Sequence, residues 1–190
     1  MLTRRDFIRQ SITGAAVGAV GLLESIVSEG FSQLNAQQVQ SSSQLPSQFE
    51  VFYAFGVHEE NNFLDTRNNL YVVDMVCDPP KRYQVVLSDS EKKAIYDAVL
   101  KNDFFNIKDD LTSGCNDKGE CAGQFPDTSA TLTIKIEGKT KTIKYKPEYA
   151  TMHENDPDIA KYKNIVTVIG GILNKRREEL NVPRPRCLYG

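Results

Sequence analysis

From Phe49 to Val57, apolar and polar positions alternate with a period of two. Phe49, Val51, Tyr53, Phe55 and Val57 fall on one side, and Glu50, Phe52, Ala54 and Gly56 on the other. That period, with aromatic and branched side chains, predicts a strand. His58-Glu59-Glu60-Asn61-Asn62 reads as a polar loop. A second strand is expected near Leu70 to Cys77. It is apolar on both faces except at Asp74, as in the middle of a sheet, and Pro79-Pro80 is expected to end it. Tyr83, Val85 and Leu87 predict a short third strand.

The period then changes to that of a helix. Ser88 and Glu91 form a Ser-x-x-Glu capping box. Behind it, Ile95 with Val99, and Tyr96 with Leu100 and Phe104, make an apolar stripe that closes near Asp103. Phe104, Phe105, Ile107 and Leu111 are expected to plug the helix end into the core. Ser113 to Asp127 reads as a loop. Beyond it Leu132, Ile134 and Ile136 alternate with polar residues in the clearest hairpin of the chain. A Gly138-Lys139 turn would pair Ile134 with Ile143 and Leu132 with Tyr145, which is the register predicted here; a Glu137-Gly138 turn would set Ile134 against Lys141. Asp156-Pro157 predicts the start of the last helix. Its stripe runs through Ile159, Tyr162, Val166, Ile169, Leu173, Arg176 and Leu180, interrupted by Gly170-Gly171; close packing on the sheet or a bend would offset the cost of those glycines. The order ββαββα predicts an α+β fold, with an antiparallel sheet of four to five strands and two helices on one face.

The first residues follow another logic. Thr3-Arg4-Arg5-Asp6-Phe7-Ile8-Arg9 precedes an uncharged run from Gln10 to Leu23 that is rich in Gly and Ala. This segment resembles a twin-arginine (Tat) export signal, Ser/Thr-Arg-Arg-x-Phe-Leu-Lys. Thr3, Arg4, Arg5 and Phe7 match, while Ile8 and Arg9 stand for Leu and Lys. The resemblance implies engagement of the Tat export machinery and delivery to the periplasm or the extracellular face of the cytoplasmic membrane. It implies removal of residues 1–36 after Ala36, although Leu34 at the −3 position departs from the usual small residue. A spanning helix needs about 20 apolar residues. Glu24 interrupts the run before that, so no permanent membrane span is expected. Residues 37–48, rich in Gln and Ser, read as a flexible linker, and residues 49–190 as a single domain.

Charge narrows the partners. Arg4, Arg5 and Arg9 balance Asp6, Glu24 and Glu29, so the net charge of −2 belongs to the rest of the chain and gives no electrostatic case for nucleic acid. The four cysteines, Cys77, Cys115, Cys121 and Cys187, allow three pairings, and an even count in an exported chain favours disulfides. A small Cys115–Cys121 ring, leaving Cys77 with Cys187, is the preferred set.

The search for reactive motifs is largely negative: there is no nucleophile elbow, phosphate-cradling glycine loop or Cys-x-x-Cys. His58 and His153 with Cys115 and Cys121 are the one set of donors from which a zinc site can be drawn, but their spacing matches no zinc motif. The expected state is oxidised cysteines and solvated histidines, with neither metal nor cofactor. Asn116, Asp117, Glu120 and Asp127 offer calcium-type oxygens in an order unlike an EF-hand. Asp74, a carboxylate in an apolar strand, is a candidate general acid or a paired structural carboxylate, with Arg82 or a lysine as partner. Ser88 to Tyr145 also resembles uncharacterised small exported bacterial domains, through Asp103-Phe104-Phe105, Asp127 and Gly138-Lys139. That likeness covers under half of the mature chain and implies a fold without an activity. The expectation is a non-catalytic binding or structural module of the envelope, the alternative a small periplasmic hydrolase or metal-dependent enzyme.

Overall fold

The computed structural model describes residues 44–189; the signal motif Arg4, Arg5 and Phe7, the Ala36 cut and most of the linker lie outside the described residues. The elements are β1 (Phe49–Gly56), β2 (Phe63–Asp65), β3 (Leu70–Met75), β4 (Asp78–Gln84), α1 (Asp89–Lys101), β5 (Asp110–Leu111), β6 (Ser129–Ile136), β7 (Lys139–Tyr145), α2 (Pro147–Met152) and α3 (Pro157–Glu179). The strands form one sheet in the order β4-β3-β2-β1-β6-β7-β5. Every neighbouring pair is antiparallel except β5 with β7.

The α+β class is as expected, but the described residues hold seven strands instead of four to five, and three α-helices instead of two. Three of the additions are too short to carry a period. β2 has three residues, β5 has two, and α2 is a six-residue helix started by Pro147. The strand expected at Tyr83, Val85 and Leu87 instead forms earlier, as β4, through the prolines where a stop was expected, and leaves Val85 and Leu87 outside it. β3 ends at Met75, Val76 turns the chain at φ 61°, and β4 runs back through Pro79 and Pro80. Proline lacks the amide that a central strand must donate, and β4 is the edge of the sheet, where that donor is not needed.

Alternation along β1 sorts the sheet into two faces. Val51 is buried with Leu64, Tyr71, Val73, Leu132, Ile134 and Ile143 in one core, which the buried residues of α1 and α3 complete. Phe49 meets Tyr96 of α1 edge to face at 5.5 Å, and α1 packs along α3 on this same side.

The β6–β7 hairpin takes the register that was not preferred. Ile134 lies opposite Lys141, Leu132 opposite Ile143 and Ala130 opposite Tyr145. The turn is Glu137-Gly138, with φ of 47° and 82°. These are the positive φ values of a type I′ turn, one of the two that match strand twist, with the glycine at its second central position. The cost is a lysine on the inward face. Lys141 offsets it by reaching Asp109 at 2.6 Å and donating to the Phe105 carbonyl at 3.2 Å. Turn geometry therefore decides the register, and Lys141 is accommodated afterwards.

Both helix starts form as predicted. The Ser88 hydroxyl accepts from the Glu91 amide while the Glu91 carboxylate accepts from the Ser88 amide. The Asp156 carboxylate accepts from the Asp158 amide, with Pro157 in the first turn. Arg176, which the sequence assigns to the fraying end of α3, instead bonds the Glu91 carboxylate, so the end of one helix locks the cap of the other. The α1 stripe is narrower than expected: Ile95 and Val99 are buried, but Leu100 is largely exposed. On α3 the buried residues are Ile159, Tyr162, Ile165, Ile169 and Leu173; Ile165 replaces Val166 in the stripe.

The cysteines pair as preferred. Cys115–Cys121 closes a ring with Cα atoms 4.0 Å apart, and Cys77–Cys187 joins the β3–β4 turn to the C-terminal tail with Cα atoms 5.8 Å apart. The tail is held further by Arg186, bonded to Asp78, and by the Tyr189 hydroxyl, which donates to Asp74. Among the described residues no helix is long and apolar enough to cross a membrane.

Candidate functional site

The residues of interest lie where β1 faces α3. Tyr53 and Phe55 are two positions apart on the inward face of β1, and their rings stack at 4.9 Å. On α3 the facing positions are Tyr162, Lys163 and Val166, then Gly170, then Leu173, Asn174 and Arg177. They recur at steps of three and four, so they form one side of the helix over four turns. Between the two elements runs a seam with two lobes. One, of about 200 Å³, is bounded by Tyr53, Phe55, Ser129, Tyr145, Pro147, Tyr162 and Val166. The other, of about 180 Å³, is bounded by Tyr53, Phe55, Tyr71, Gly170, Leu173, Asn174 and Arg177. Tyr53 and Phe55 belong to both.

Glycine keeps the second lobe open. Gly170-Gly171 lowers helix stability by about 1 kcal/mol per glycine relative to alanine. Neither close packing nor a clash accounts for them, since a Cβ at either position meets nothing within 4 Å. The compensation expected from tight contact with the sheet is therefore missing. What Gly170 leaves is space facing Tyr53 and Phe55.

The seam is apolar with a few buried hydroxyls. Tyr162, 1% exposed, stacks on Tyr145 at 4.7 Å, and its hydroxyl has no hydrogen-bond partner; the Tyr71 hydroxyl, fully buried, faces the Arg177 guanidinium. A buried hydroxyl without a partner costs about 1–3 kcal/mol. Burial pushes the phenol of Tyr53 up to about 12, aided by the charge of Glu59 and by Tyr145. It pushes Tyr162 up as well, with Tyr53, Tyr145 and Glu59 adding to the effect. Tyr145 rises through burial and the charge of Glu148. Tyr71 also rises through burial, against the opposing pull of the Arg177 guanidinium. At neutral pH these groups are O–H donors and not bases. The Ser129 hydroxyl donates to the Glu59 carboxylate with no imidazole between them, which is not the arrangement of an activated nucleophile. Such a wall can hold and orient a ligand.

A larger hollow of about 470 Å³ lies on the opposite face of the sheet, among Glu50, Phe52, Asp65, Arg67, Thr133 and Lys135. Two of its charges pair with each other, and the Asp65 carboxylate is satisfied by neutral donors. Lys135 pairs with Glu50 at 2.9 Å, and Asp65 accepts from the amides of Arg67 and Asn68 and from the Asn68 side chain. The seam, with the unpartnered hydroxyl of Tyr162, has unmet bonding capacity.

The residues singled out in the sequence lie elsewhere. Cys115 and Cys121 are bonded to each other and offer no thiolate, so the zinc set dissolves. His58 sits 5.6 Å from the Tyr189 ring and His153 sits 4.3 Å from the Tyr149 ring. Among the described residues no three His, Cys, Asp or Glu side chains are grouped to hold a metal ion. The calcium set does not assemble either. Asn116 folds its side chain onto the Lys118 and Glu120 amides and the Glu120 carboxylate, and Asp127 is held by Lys146 at 2.8 Å. Asp74 pairs with neither Arg82 nor a lysine: it accepts from the Tyr189 hydroxyl and the Val76 amide, which makes it an anchor for the tail.

The sequence does not show the seam because Tyr53 and Tyr162 fall on ordinary core positions, as their periods require. The signal that could have found it is the glycine pair inside an amphipathic helix. Neither a protein-family model nor a curated protein matches this chain, so the seam is read from its own chemistry.

Proposed function

We propose that this chain is a non-catalytic binding module of the cell envelope, exported by the twin-arginine route and working in the periplasm or on the outer face of the cytoplasmic membrane. The seam between β1 and α3 is its binding site. The observation that carries this reading is the pairing of unfilled apolar space with the unpartnered, buried hydroxyl of Tyr162. Small-ligand sites are mostly apolar clefts with a few convergent polar groups, which is the composition found here. The two disulfides support export, because such bonds persist in oxidising compartments.

Binding is tested with an environment-sensitive naphthalene dye and the full chain. The parent is expected to take up one dye per chain with enhanced fluorescence. Gly170→Leu, which fills the second lobe, and Val166→Glu, which places a charge beside the first, are each expected to weaken uptake at least tenfold. Tyr162→Phe is expected to be at least as stable as the parent, since it removes a hydroxyl that nothing satisfies. Uptake unchanged in both seam variants contradicts the reading.

Export has its own test. A reporter fused to residues 1–36 is expected to leave the cytoplasm of a Tat-competent host and to stay inside when Arg4 and Arg5 are both replaced by lysine. Exit of the Lys-Lys form contradicts the twin-arginine assignment.

A further inference from the structure

Resting on the seam as a binding site, we propose that its ligand is a long-chain carboxylate, with the head at Arg177 and Tyr71 and the tail laid along α3 past Gly170 to Tyr162. Three observations converge on this class. The first is shape. The two lobes share Tyr53 and Phe55 and follow α3 from Lys163 to Arg177, a run of about 21 Å at 1.5 Å per residue. A long, thin space suits a linear chain better than a fused ring system. The second is the chemistry at the Arg177 end. The Arg177 lobe holds a half-buried guanidinium beside the fully buried Tyr71 hydroxyl, two donors for one anionic head. Guanidinium geometry matches a carboxylate in a two-bond fork. The other lobe is mainly aromatic and aliphatic, with Thr128, Ser129, Lys163 and the Tyr162 hydroxyl as its polar members. The third is Gly170. It is the position at which any side chain would enter the space between the lobes' shared aromatic wall and the head. The helix retains glycine there although alanine would strengthen it.

The test uses the full chain and the straight-chain carboxylates from hexanoate to hexadecanoate, competed against the naphthalene dye. Affinity is expected to rise about fourfold per added methylene, the factor that corresponds to about 0.8 kcal/mol of apolar burial. The rise should continue through dodecanoate in the parent and stop several methylenes earlier in Gly170→Leu. Gly170→Ala serves as a control that stays folded, and should keep most of the rise. Arg177→Gln is expected to weaken dodecanoate at least tenfold and to leave methyl dodecanoate unchanged. If the rise stops at the same length in the parent and in Gly170→Leu, no tail passes residue 170 and the proposal fails. If Arg177→Gln weakens acid and ester equally, the head assignment fails. If the dye binds in a Gly170- and Val166-dependent way but no carboxylate displaces it, this proposal falls while the seam remains a binding site. If the dye itself ignores both seam variants, the binding reading falls too.

Discussion

Replacing Cys187 with serine is expected to lower the unfolding free energy by about 4–5 kcal/mol and the melting temperature by roughly 10–15 °C. The Cys77–Cys187 bond closes a loop across 110 positions of sequence, so cutting it returns a large loop-closure entropy to the unfolded chain. The Cys115–Cys121 ring spans only six positions, and its loss should cost about 2 kcal/mol. The remaining tail contacts do not replace the staple. Arg186 is largely exposed where it meets Asp78, and exposed pairs contribute about 0–1 kcal/mol. Thermal unfolding of the parent, Cys187→Ser and Cys115→Ser, with Arg186→Gln as a small-effect control, checks the order. A Cys187→Ser variant that melts within about 2 °C of the parent contradicts this account of the tail.

Asp156→Ala is expected to destabilise the fold by about 3 kcal/mol, and Asp156→Asn by markedly less. One carboxylate serves several donors. It caps α3 through the Asp158 amide at 3.0 Å, accepts from the Tyr149 hydroxyl at 2.7 Å and pairs with Lys108 at 2.7 Å. Cap removal costs about 1 kcal/mol, and hydrogen bonds to a charged group about 1.5–3. Asparagine keeps the cap through its one oxygen, and its Nδ2 can donate to the Tyr149 hydroxyl, so the main loss is the charge pair with Lys108. Burial alone would raise this carboxyl, but the bonds from Lys108, Tyr149 and Asp158 outweigh it and hold Asp156 at about 2, below its usual 3.8. A depressed carboxyl contributes stability that is fully present above its unfolded value and lost as pH falls through the folded one. Between about pH 4 and pH 2 the unfolded chain takes up the proton first, so stability should fall with acid across that window by about 2 kcal/mol. The loss should be absent in Asp156→Asn. Urea titrations of both proteins from pH 5 to pH 2 check this; equal acid slopes contradict it.

Much of the fold was legible because its longest elements carry clean periods. β1, β6, α1 and α3 stand where alternation and the two capping signals place them. The pieces that were not legible have physical reasons. β2 and β5 are too short to show a period, and β5 forms only through its pairing with Lys144 and Tyr145 of β7. Pro79 and Pro80 read as a stop because a proline's missing donor excludes a central strand; whether the strand is at an edge is a property of the assembled sheet. The hairpin register failed where apolar pairing and turn geometry disagreed. The turn prevailed because Asp109 and the Phe105 carbonyl, distant in sequence, give Lys141 somewhere to put its charge.

The site was hidden for a related reason. Tyr53, Tyr71, Tyr145 and Tyr162 each satisfy the pattern of a buried wall, and one-dimensional spacing does not show that the hydroxyl of Tyr162 ends without a partner. Arg177 reads as part of a solvated Lys-Arg-Arg cluster, yet it turns toward Tyr71 while its neighbour Arg176 goes to Glu91. Gly170-Gly171 was visible as an anomaly in the sequence. Only the space beside it shows that the anomaly faces a cleft and not a tight contact.

The seam is tested most directly by amide chemical-shift mapping of the full, isotopically labelled chain as dodecanoate is added. Saturable shifts are expected on Tyr53, Phe55, Gly170, Asn174 and Arg177, with the opposite face of the sheet at Phe52, Thr133 and Lys135 unmoved. Shifts confined to that opposite face, or none at all up to the solubility of the acid, would contradict a binding seam for such acids between β1 and α3.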